Sequence, residues 1–548
     1  MDGEILNASS DWVRVACFIL VQELHDSGFD RPIVAQSPCE IDHGTMRCDV
    51  LIIGAGAAGI RAALEVSRHD LKILFVEPDR QSHRSATFSN ISMGWGIQAL
   101  LGGDRNEAQE TCFFEDIIRA GLGCCDPHLA QVLVAESGAR LSDLISRGVE
   151  FKKLSDGSYL KARGCFSDTP RAYLTADYNN LKHAFLSIRR QSGAENVTGI
   201  VVELMVSDGC CQGAWVLTED QVLLPIAARA TVLATGGGGG IFQDHLVHDA
   251  AVGDGYALAY QAGARLNNME FIQFMLGVRQ NGTRGFFPLQ RLQQERAVID
   301  GHGDDLLSDA IGDPALKQQA VADRLRHAPF STRDRSWLVD VAIARAAATG
   351  DLFCKVDDSG QPIYRLGHFA HAFNGGIVID ADGKSTLKGL FAAGEVACGP
   401  HGADRIGGCM MTATQVFGSR AGAGAAKLVL KSKTQKGDPP RIALSIETHT
   451  GRAGRRAPDQ VLTEIENGIR RAMQRHAAVL RTARGLKACL GLLESSQRTL
   501  DDLLPVAESD LLRWVKLRNM ILTAKLVSES ALARDQSLGP HLRVDGHD

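Results

Sequence analysis

The alternation of apolar and polar residues is clearest between Cys48 and Glu77. An apolar run from Val50 to Ile53 predicts a buried strand, and a glycine turn and an alanine-rich amphipathic segment follow it directly. A second apolar run, from Ile73 to Val76, predicts another strand that ends at Glu77. The order strand, turn, helix and strand predicts a βαβ unit at this point of the chain.

Further along, the spacing of the apolar residues changes. Residues 108–150 carry apolar side chains at helical intervals, whereas residues 197–235 contain short runs typical of strands. The last of these runs ends in five glycines, Gly236 to Gly240, where the absence of side chains lets the backbone pass close to a ligand. The α/β pattern returns at 376–380 and 389–395, and residues after 430 again have helical spacing.

Residues 244–360 depart from the α/β pattern and hold much of the charged sequence, so we expect an inserted domain there. The predicted fold class is α/β, with a Rossmann-like domain, an insertion and a C-terminal helical domain. Residues 1–47 show no matching periodicity and are either an appended segment or lie upstream of the true start. The predicted divisions are 1–47, 48–243, 244–360, 361–428 and 429–548.

The composition changes this picture little. The 548 residues exceed what one hydrophobic core usually holds, and the net charge of −5 lacks the basic footprint of a nucleic-acid-binding protein. No apolar run approaches the roughly 18 residues that a membrane-spanning helix needs. The N-terminal segment has no basic leader followed by a cleavage site, so we predict a cytoplasmic protein.

The 13 cysteines do not predict a metal site or a disulfide framework. None forms a CxxC pair, and two adjacent pairs, Cys124–Cys125 and Cys210–Cys211, are the closest spacings. Zinc and iron–sulfur sites need several thiolates at short intervals. We therefore expect buried or idle thiols and no metal in this chain.

The glycine turn carries the first chemical signal. Gly54 permits a tight turn, Gly56 lets the backbone approach a pyrophosphate, and Gly59 lets the helix pack on the strand. The helix N-terminus offers free N–H groups and a positive dipole end to phosphates. Glu77 ends the second strand, where a carboxylate accepts hydrogen bonds from ribose hydroxyls. We infer that the chain binds a dinucleotide.

Several separated segments resemble one family, the flavoproteins of fumarate reductase, succinate dehydrogenase and L-aspartate oxidase, with the alpha subunit of adenylylsulfate reductase as a remoter relative. The resemblance implies an FAD-binding domain, an inserted α+β capping domain and a C-terminal helical domain. The segments are GAGAAG at 54–59, ATGGGGG at 234–240, GDGYALAYQAGARLNNMEFIQF at 253–274, HAFNGGIVID at 371–380, GLFAAGEVACGPHGADRIGG at 389–408 and RNMILTAKLVSESALARDQSLGPHLRVD at 518–545.

The resemblance implies that the dinucleotide is FAD. The residues that it assigns to the cofactor are Gly54, Gly56, Ala57, Ala58, Gly59, Glu77, Ser89, Gly96, Ala234, Thr235, Gly236, Asp254, Gly394, Glu395, Met410 and Met411. Respiratory members attach the flavin covalently through a histidine, and Ser89 stands at that position here. We therefore predict non-covalent FAD.

The resemblance also implies three catalytic residues. His371 resembles the histidine that grips a substrate carboxylate, and Arg405 resembles the arginine that clamps one, a task suited to a forked guanidinium. Arg333, in a shorter local match, resembles the arginine that exchanges a proton with the substrate carbon. Because arginine has a high pKa, that last role rests on the resemblance and not on the residue type.

The departures from the family pattern concern the substrate. Met275 replaces a substrate-contacting histidine, the threonine–glutamate pair that follows it in the family is absent, and Phe286 and Phe287 lie nearby in the sequence. Cys409 to Thr412 replaces an Asn-Ser-Leu-Leu run. A pocket with these residues is more apolar, so we expect a carboxylate substrate other than simple fumarate or succinate.

Two other functions stay open. One is L-aspartate oxidase, which non-covalent FAD favours and the missing threonine–glutamate pair disfavours. The other is an electron-carrying subunit, similar to the alpha subunit of adenylylsulfate reductase or without chemistry of its own. In a complex, iron–sulfur clusters would belong to a partner chain, through which membrane association would also arise. A plain NAD-binding module does not explain the GDG and AAGE segments.

Overall fold

A computed structural model describes residues 45–79, 85–88, 96–280, 282–300, 302–350, 352–355, 362–432, 459–503 and 508–545. Its strands are β1 Met46–Ile53, β2 Ile73–Glu77, β3 Gly96–Gln98, β4 Lys161–Arg163, β5 Pro170–Leu174, β6 Glu195–Ser207, β7 Cys210–Thr218, β8 Leu223–Leu233, β9 Leu266–Asn267, β10 Ile272–Gln280, β11 Thr283–Phe286, β12 Val298–Ile299, β13 Phe353–Lys355, β14 Pro362–Phe373, β15 Gly376–Val378, β16 Leu390–Ala392, β17 Ala397–Cys398, β18 Leu480–Arg481 and β19 Leu542–Arg543.

The helices predicted for residues 108–150 and, where the chain is described, for residues after 430 are confirmed. The described α-helices are α1 Ala57–Val66, α2 Glu107–Gly121, α3 Pro127–Ser146, α4 Tyr178–Gln191, α5 Asp254–Gln261, α6 Leu306–Ile311, α7 Pro314–Arg324, α8 Trp337–Thr349, α9 Cys409–Lys431, α10 Asp459–His476, α11 Ala483–Asp502 and α12 Glu508–Ala533.

The first βαβ unit forms the centre of a parallel sheet. Strand β1 pairs in parallel with β2, where Val50 faces Ile73, and with β8, where Val50 faces Ala230. The start of β6 extends the sheet beside β2, and β16 extends it beside β8. The rest of β6 forms an antiparallel meander with β7 and β8. Strands that are buried on both faces explain the continuous apolar runs of the sequence.

Helices α1 and α9 cross at close range over this sheet. A Cβ atom added at Gly422 would lie 2.3 Å from the carbonyl oxygen of Ala62, and one at Gly418 would lie 2.8 Å from that of Ala58. Side chains at these two positions would separate the helices, so the glycines allow backbone to pack against backbone. The start of α1, which follows the glycine turn, therefore packs against the middle of α9 near Gly418.

A second, antiparallel sheet lies in the inserted part of the chain. Its strand order is β11-β10-β14-β13-β12, and Leu276, Val339 and Leu366 belong to the hydrophobic core between the sheet and helices α6 to α8. The sequence division placed residues 361–428 in the returning nucleotide domain. Strand β14 pairs with β10 along its length, from Phe373 opposite Ile272 to Arg365 opposite Arg279. The polypeptide thus leaves the inserted sheet near residue 373, and the domain divisions stay predictions.

The last C-terminal helix packs against the helix that follows the GDG turn. Helix α12 contacts α5, where Thr523 donates a hydrogen bond to the carbonyl of Gly253 at 3.0 Å. In the described part of the chain, no helix is long and apolar enough to cross a membrane. Across the same ranges, His, Cys, Asp and Glu side chains do not gather into a group able to hold a metal ion.

Candidate active site

A cavity of about 1160 Å³ lies between the parallel sheet and the inserted sheet. One of the residues proposed from the sequence, Gly59, is not among those that line it and packs beneath the turn. Ser89 lies outside the described residues. The proposed residues that do line the cavity are Gly54, Gly56, Ala57, Ala58, Glu77, Gly96, Ala234, Thr235, Gly236, Asp254, Arg333, His371, Gly394, Glu395, Arg405, Met410 and Met411.

The glycine turn has the local geometry expected for a phosphate-binding loop. Gly54 has φ +102°, and a Cβ atom there would lie 2.4 Å from the carbonyl oxygen of Ala234. A Cβ atom at Gly59 would lie 2.0 Å from the carbonyl oxygen of Gly54. The N–H of Ala57 donates to Oγ1 of Thr87 at 3.0 Å, a contact that the sequence did not indicate. The turn therefore tolerates no side chain at Gly54 or Gly59.

The cavity fits a dinucleotide on structural grounds. Its volume is large for a small-molecule site, and the turn between β1 and α1 forms part of its wall. Thr235, which also lines it, has a buried Oγ1 atom without a hydrogen-bond partner. Since buried hydroxyl groups are normally hydrogen-bonded, this atom is suited to meet a bound ligand.

Glu77 lines the cavity, but its carboxylate also has a protein partner. The carboxylate is 2% exposed and forms an ion pair with the guanidinium of Arg189, which stacks over the ring of Phe75. The guanidinium orients the buried carboxylate and gives it a partner of opposite charge. Glu77 was predicted from the sequence because it is an acid at the end of a strand. No pattern in the sequence indicated its partner Arg189, which lies on α4.

Two further acids, Asp254 and Glu395, border the cavity. Asp254 accepts a hydrogen bond from Nδ2 of Asn519 at 2.9 Å, and burial raises its pKa. Glu395 accepts the N–H of Phe373 at 2.9 Å, and burial raises its pKa to about 7. Both carboxyl groups are therefore placed to accept or share hydrogen bonds with hydroxyl groups of a ligand.

Arg405 and His371 meet at the inserted-sheet side of the cavity. Nη2 of Arg405 donates to Oε1 of Gln273 at 2.6 Å, while its Nε is buried without a partner. The pKa of His371 is lowered to about 3, mainly by burial of its imidazole and in addition by the positive charge of Arg405. Nδ1 of His371 is also buried without a partner. The site thus combines a cation with a neutral imidazole, and each retains a nitrogen for a ligand.

Arg333 lies in the same cavity and is held on three sides. Its Nε donates to Oδ2 of Asp404 at 3.0 Å, and its Nη2 donates to the carbonyl of Ala120 at 3.1 Å. Its guanidinium carbon lies 4.5 Å from the ring centroid of Phe166. Ser331 also donates to Oδ2 of Asp404, at 2.7 Å. Asp404 directly precedes the clamp arginine in the HGADRIGG segment, which was the only sequence signal for its role.

Part of the cavity wall beside His371 is apolar. Met275, Phe286 and Phe287 line the cavity, and the ring of Phe286 meets the imidazole of His371 edge-on with 5.7 Å between centroids. Strand β10 has an irregular register between Gln273 and Phe274, which lie just before Met275. The sequence expectation of a partly apolar pocket is consistent with these positions.

Two family models match the chain. The model described as FAD binding domain covers residues 49–298 and 320–411, and the model described as fumarate reductase flavoprotein C-term covers residues 466–548. The first match alone spans more than half of the chain, and it includes every described residue that the sequence assigned to the cofactor. FAD is therefore the dinucleotide of this protein.

Known proteins resemble the chain over nearly its full length. It is 32% identical over 531 residues to a protein of Methanothermobacter marburgensis that is named as one of the subunits of fumarate reductase (CoM/CoB), with 91% of this chain and 94% of the relative covered. It is 29% identical to the L-aspartate oxidase of Caulobacter vibrioides over 515 residues, with 90% and 93% covered.

A solved structure of E. coli quinol fumarate reductase shares the fold, with a TM-score of 0.75, 22% identity and 92% of each chain covered. At that identity the likeness establishes architecture, and it confirms the α/β fold with an insertion and a C-terminal helical part. Together, the matched models, the sequence relatives and the fold place the chain in the fumarate reductase and succinate dehydrogenase flavoprotein family of FAD-dependent oxidoreductases.

Proposed function

We propose that this flavoprotein transfers a hydride between FAD and a substrate that bears a carboxylate. The observation that supports the proposal is the pairing of Arg405 with His371 in the cavity that also holds the glycine turn. A cation alone would attract an anion weakly in water. In a buried site, the same cation beside a hydrogen-bonding imidazole binds and orients a carboxylate strongly.

Each residue has a distinct task in this proposal. Gln273 holds one nitrogen of Arg405, so that the guanidinium fork is oriented before the substrate arrives. His371, neutral at pH 7 because of its low pKa, hydrogen-bonds the carboxylate without adding a second charge. Bound FAD supplies the hydride acceptor or donor. The apolar wall excludes water and strengthens the charge interactions.

Arg333 is proposed to exchange a proton with the substrate carbon. Nε and Nη2 are taken by Asp404 and Ala120, which leaves Nη1 for the substrate. The carboxylate of Asp404 is buried, and burial raises its pKa in spite of the nearby guanidinium. Because its pKa is raised, the carboxyl group of Asp404 is able to take up the proton that Arg333 exchanges with the substrate.

The substrate is proposed to be larger or less polar than fumarate. Met275, Phe286 and Phe287 offer no hydrogen bonds to a second carboxylate on that wall. L-aspartate oxidase is the second candidate, because a relative of that name is 29% identical over 515 residues. A partner that carries electrons to or from the flavin is also proposed, since the relative from M. marburgensis is named as one of several subunits.

The test uses the FAD-loaded protein and its Arg405→Ala and Arg405→Lys variants. Flavin absorbance reports the binding of carboxylic acids, and reduced viologen drives the reduction of unsaturated ones. We expect Arg405→Ala to remove most binding and turnover, and Arg405→Lys to restore only part of it because lysine has no fork. Full turnover of Arg405→Ala within a complex would instead identify an electron-carrying subunit.

Two assays separate the candidate substrates. Fumarate turnover as fast as that of a dedicated fumarate reductase would contradict the proposed larger substrate. Formation of iminoaspartate from L-aspartate, dependent on Arg405, would establish the oxidase. We expect neither reaction to be efficient.

A further inference from the structure

The C-terminal helix α12 forms part of the cavity wall with one of its faces. Leu512 and Lys516 line the cavity. Asn519 and Thr523 continue the same face at helical intervals, and their side chains contact the GDG turn from which α5 begins. The family model described as FAD binding domain ends at residue 411, so α12 lies outside the segments that this model assigns to the cofactor.

Asn519 is buried between a cation and an acid. It is 0% exposed, and its Nδ2 donates to Oδ1 of Asp254 at 2.9 Å. On its other side, Nη2 of Arg518 donates to Oδ1 of Asn519 at 3.4 Å and to the carbonyl of Val202 at 2.6 Å. Because a guanidinium only donates hydrogen bonds and an ionised carboxylate only accepts them, these neighbours fix which end of the amide faces Asp254.

Asp254 is the contact between Asn519 and the cavity. It is the first residue of α5 and lines the cavity, whereas Asn519 is not among the residues that line it. The turn before Asp254 packs directly on α12, because Oγ1 of Thr523 donates to the carbonyl of Gly253 at 3.0 Å. A Cβ atom at Gly253 would lie 2.6 Å from Cγ2 of Thr523. Any influence of Asn519 on a ligand in the cavity therefore passes through Asp254.

The surroundings of Asp254 control the charge of its carboxyl group. Burial raises its pKa, whereas the hydrogen bond from Asn519 and the positive charges of Lys516 and Arg518 lower it. Glu203, on β6, also interacts with the charge of Arg518. An ionised carboxylate accepts hydrogen bonds on both oxygens, so it suits the hydroxyl groups of a dinucleotide better than the protonated form does.

We propose that Asn519 is a positioning residue for FAD and that helix α12 completes the cofactor site. Asn519 holds Oδ1 of Asp254, so that the carboxylate presents its acceptors to hydroxyl groups of the bound cofactor. Binding of FAD and docking of α12 on the GDG turn then stabilise one another. This role concerns the cofactor and does not depend on which substrate exchanges a hydride with the flavin.

A double-mutant cycle on FAD affinity tests this role. The FAD-loaded full chain is diluted, and the dissociation constant is measured from the fluorescence of the released flavin. Asn519→Leu, which keeps the approximate size without the donor, should weaken FAD binding about tenfold, in line with the loss of a hydrogen bond to a charged group. In an Asp254→Ala background, the same change should weaken binding by less than about twofold, because the carboxylate that Asn519 holds is absent.

Trp514→Phe is the matched control on the same helix. Nε1 of Trp514 donates to the carbonyl of Leu500 at 2.9 Å, so the change removes one buried hydrogen bond of α12 that does not involve the GDG turn. It should lower the unfolding temperature, as Asn519→Leu does, and leave FAD affinity within about twofold. Asn519→Ser, which keeps a shorter donor, should lose part of the affinity, and it takes the place of the leucine variant in the cycle if that variant does not fold.

The pH dependence of FAD affinity separates positioning from packing. FAD affinity should decline as the pH falls and the carboxylate of Asp254 becomes protonated. Since the hydrogen bond from Asn519 lowers the pKa of Asp254, the decline should begin at a higher pH in Asn519→Leu. In Trp514→Phe it should begin at the same pH as in the unaltered protein.

A loss of affinity confined to the background that retains Asp254, together with the shift to higher pH, would establish the role of Asn519. An equal loss in both backgrounds would overturn it, because the asparagine would then act through packing alone. Unchanged FAD affinity in Asn519→Leu, or weaker affinity without a shift in the pH of the decline, would overturn it as well.

Discussion

The guanidinium of Arg333 and the carboxylate of Asp404 form an ion pair in which Nε and Oδ2 are 3.0 Å apart. The carboxylate is fully buried, and the guanidinium is 18% exposed where it borders the cavity. One residue further along the chain, Arg405 takes part in a separate contact with Gln273. A single short segment therefore orients both arginines of the proposed reaction.

Asp404→Asn should reduce turnover much more than substrate binding. The amide presents the same shape without the charge that holds Arg333, so we expect kcat to fall about tenfold to hundredfold, at or below the lower end of the range for lost proton-transfer catalysis, because Arg333 itself is still present. Substrate Kd should change by less than about threefold, because Arg405 keeps its own partner. Ser331→Ala, which removes one hydrogen bond to the same oxygen, is the milder control. Turnover of Asp404→Asn close to that of the unaltered protein would exclude this role.

Phe166→Leu should also act through Arg333. The ring lies 4.5 Å from the guanidinium carbon, a cation–π contact worth about 0.5–2 kcal/mol. Its backbone has φ +66°, a left-handed conformation that costs a non-glycine residue about 1–2 kcal/mol. We expect kcat to fall about threefold to tenfold with little change in Kd, and Phe166→Tyr to retain activity. Equal activity of the leucine and tyrosine variants would mean that the ring does not position Arg333.

Gly237→Ala should weaken FAD binding. A Cβ atom at this position would lie 2.0 Å from Oε1 of Glu395, which must move and lose its hydrogen bond from Phe373. We expect FAD affinity, measured by flavin fluorescence, to fall about tenfold or more, equivalent to about 1.4 kcal/mol. Gly103→Ala is the control, because its Cβ would meet nothing within 4 Å. The same FAD affinity in both variants would contradict a role of Glu395 in the site.

Protein stability should decline as the pH falls below about 6.5. Burial lowers the pKa of His371 and His401 to about 3 and that of His245 to about 4. Between pH 6.5 and 4, the unfolded chain binds protons at these residues and the folded chain does not, so acid favours unfolding. Replacing His401 by glutamine should reduce the slope of the unfolding free energy against pH by about 1.4 kcal/mol per pH unit in that range. A denaturation series at several pH values measures it, and an unchanged slope would show that His401 is charged when folded.

Acid denaturation tests how FAD is attached. Ser89 occupies the position of the flavin-linked histidine in the family resemblance, and serine does not form that linkage. After precipitation with acid, we expect the yellow colour in the supernatant and the protein pellet to be colourless. Colour that stays with the pellet would show covalent flavin and would direct attention to another residue.

Much of the fold was predictable because its signals are local. The apolar run Val50 to Ile53, the glycine turn and the strand that ends at Glu77 follow one another, and their packing depends on near neighbours. The residues at which the inserted sheet begins and ends were harder to predict from the sequence. Strand β14 joins β10 through hydrogen bonds between residues about 90 positions apart, and no local period records such a pairing.

The sequence by itself determined that this protein binds a dinucleotide, through a glycine turn that only particular residues can form. The family resemblance carried in the sequence identified the dinucleotide as FAD and predicted Arg405 and His371 as partners of a carboxylate. Only the tertiary structure decided which cations of the cavity are paired. Asp404, Phe166 and Ala120 come from separate parts of the chain and surround Arg333. The physical reason is that charge pairing and desolvation depend on distances through space, which the folded chain alone establishes.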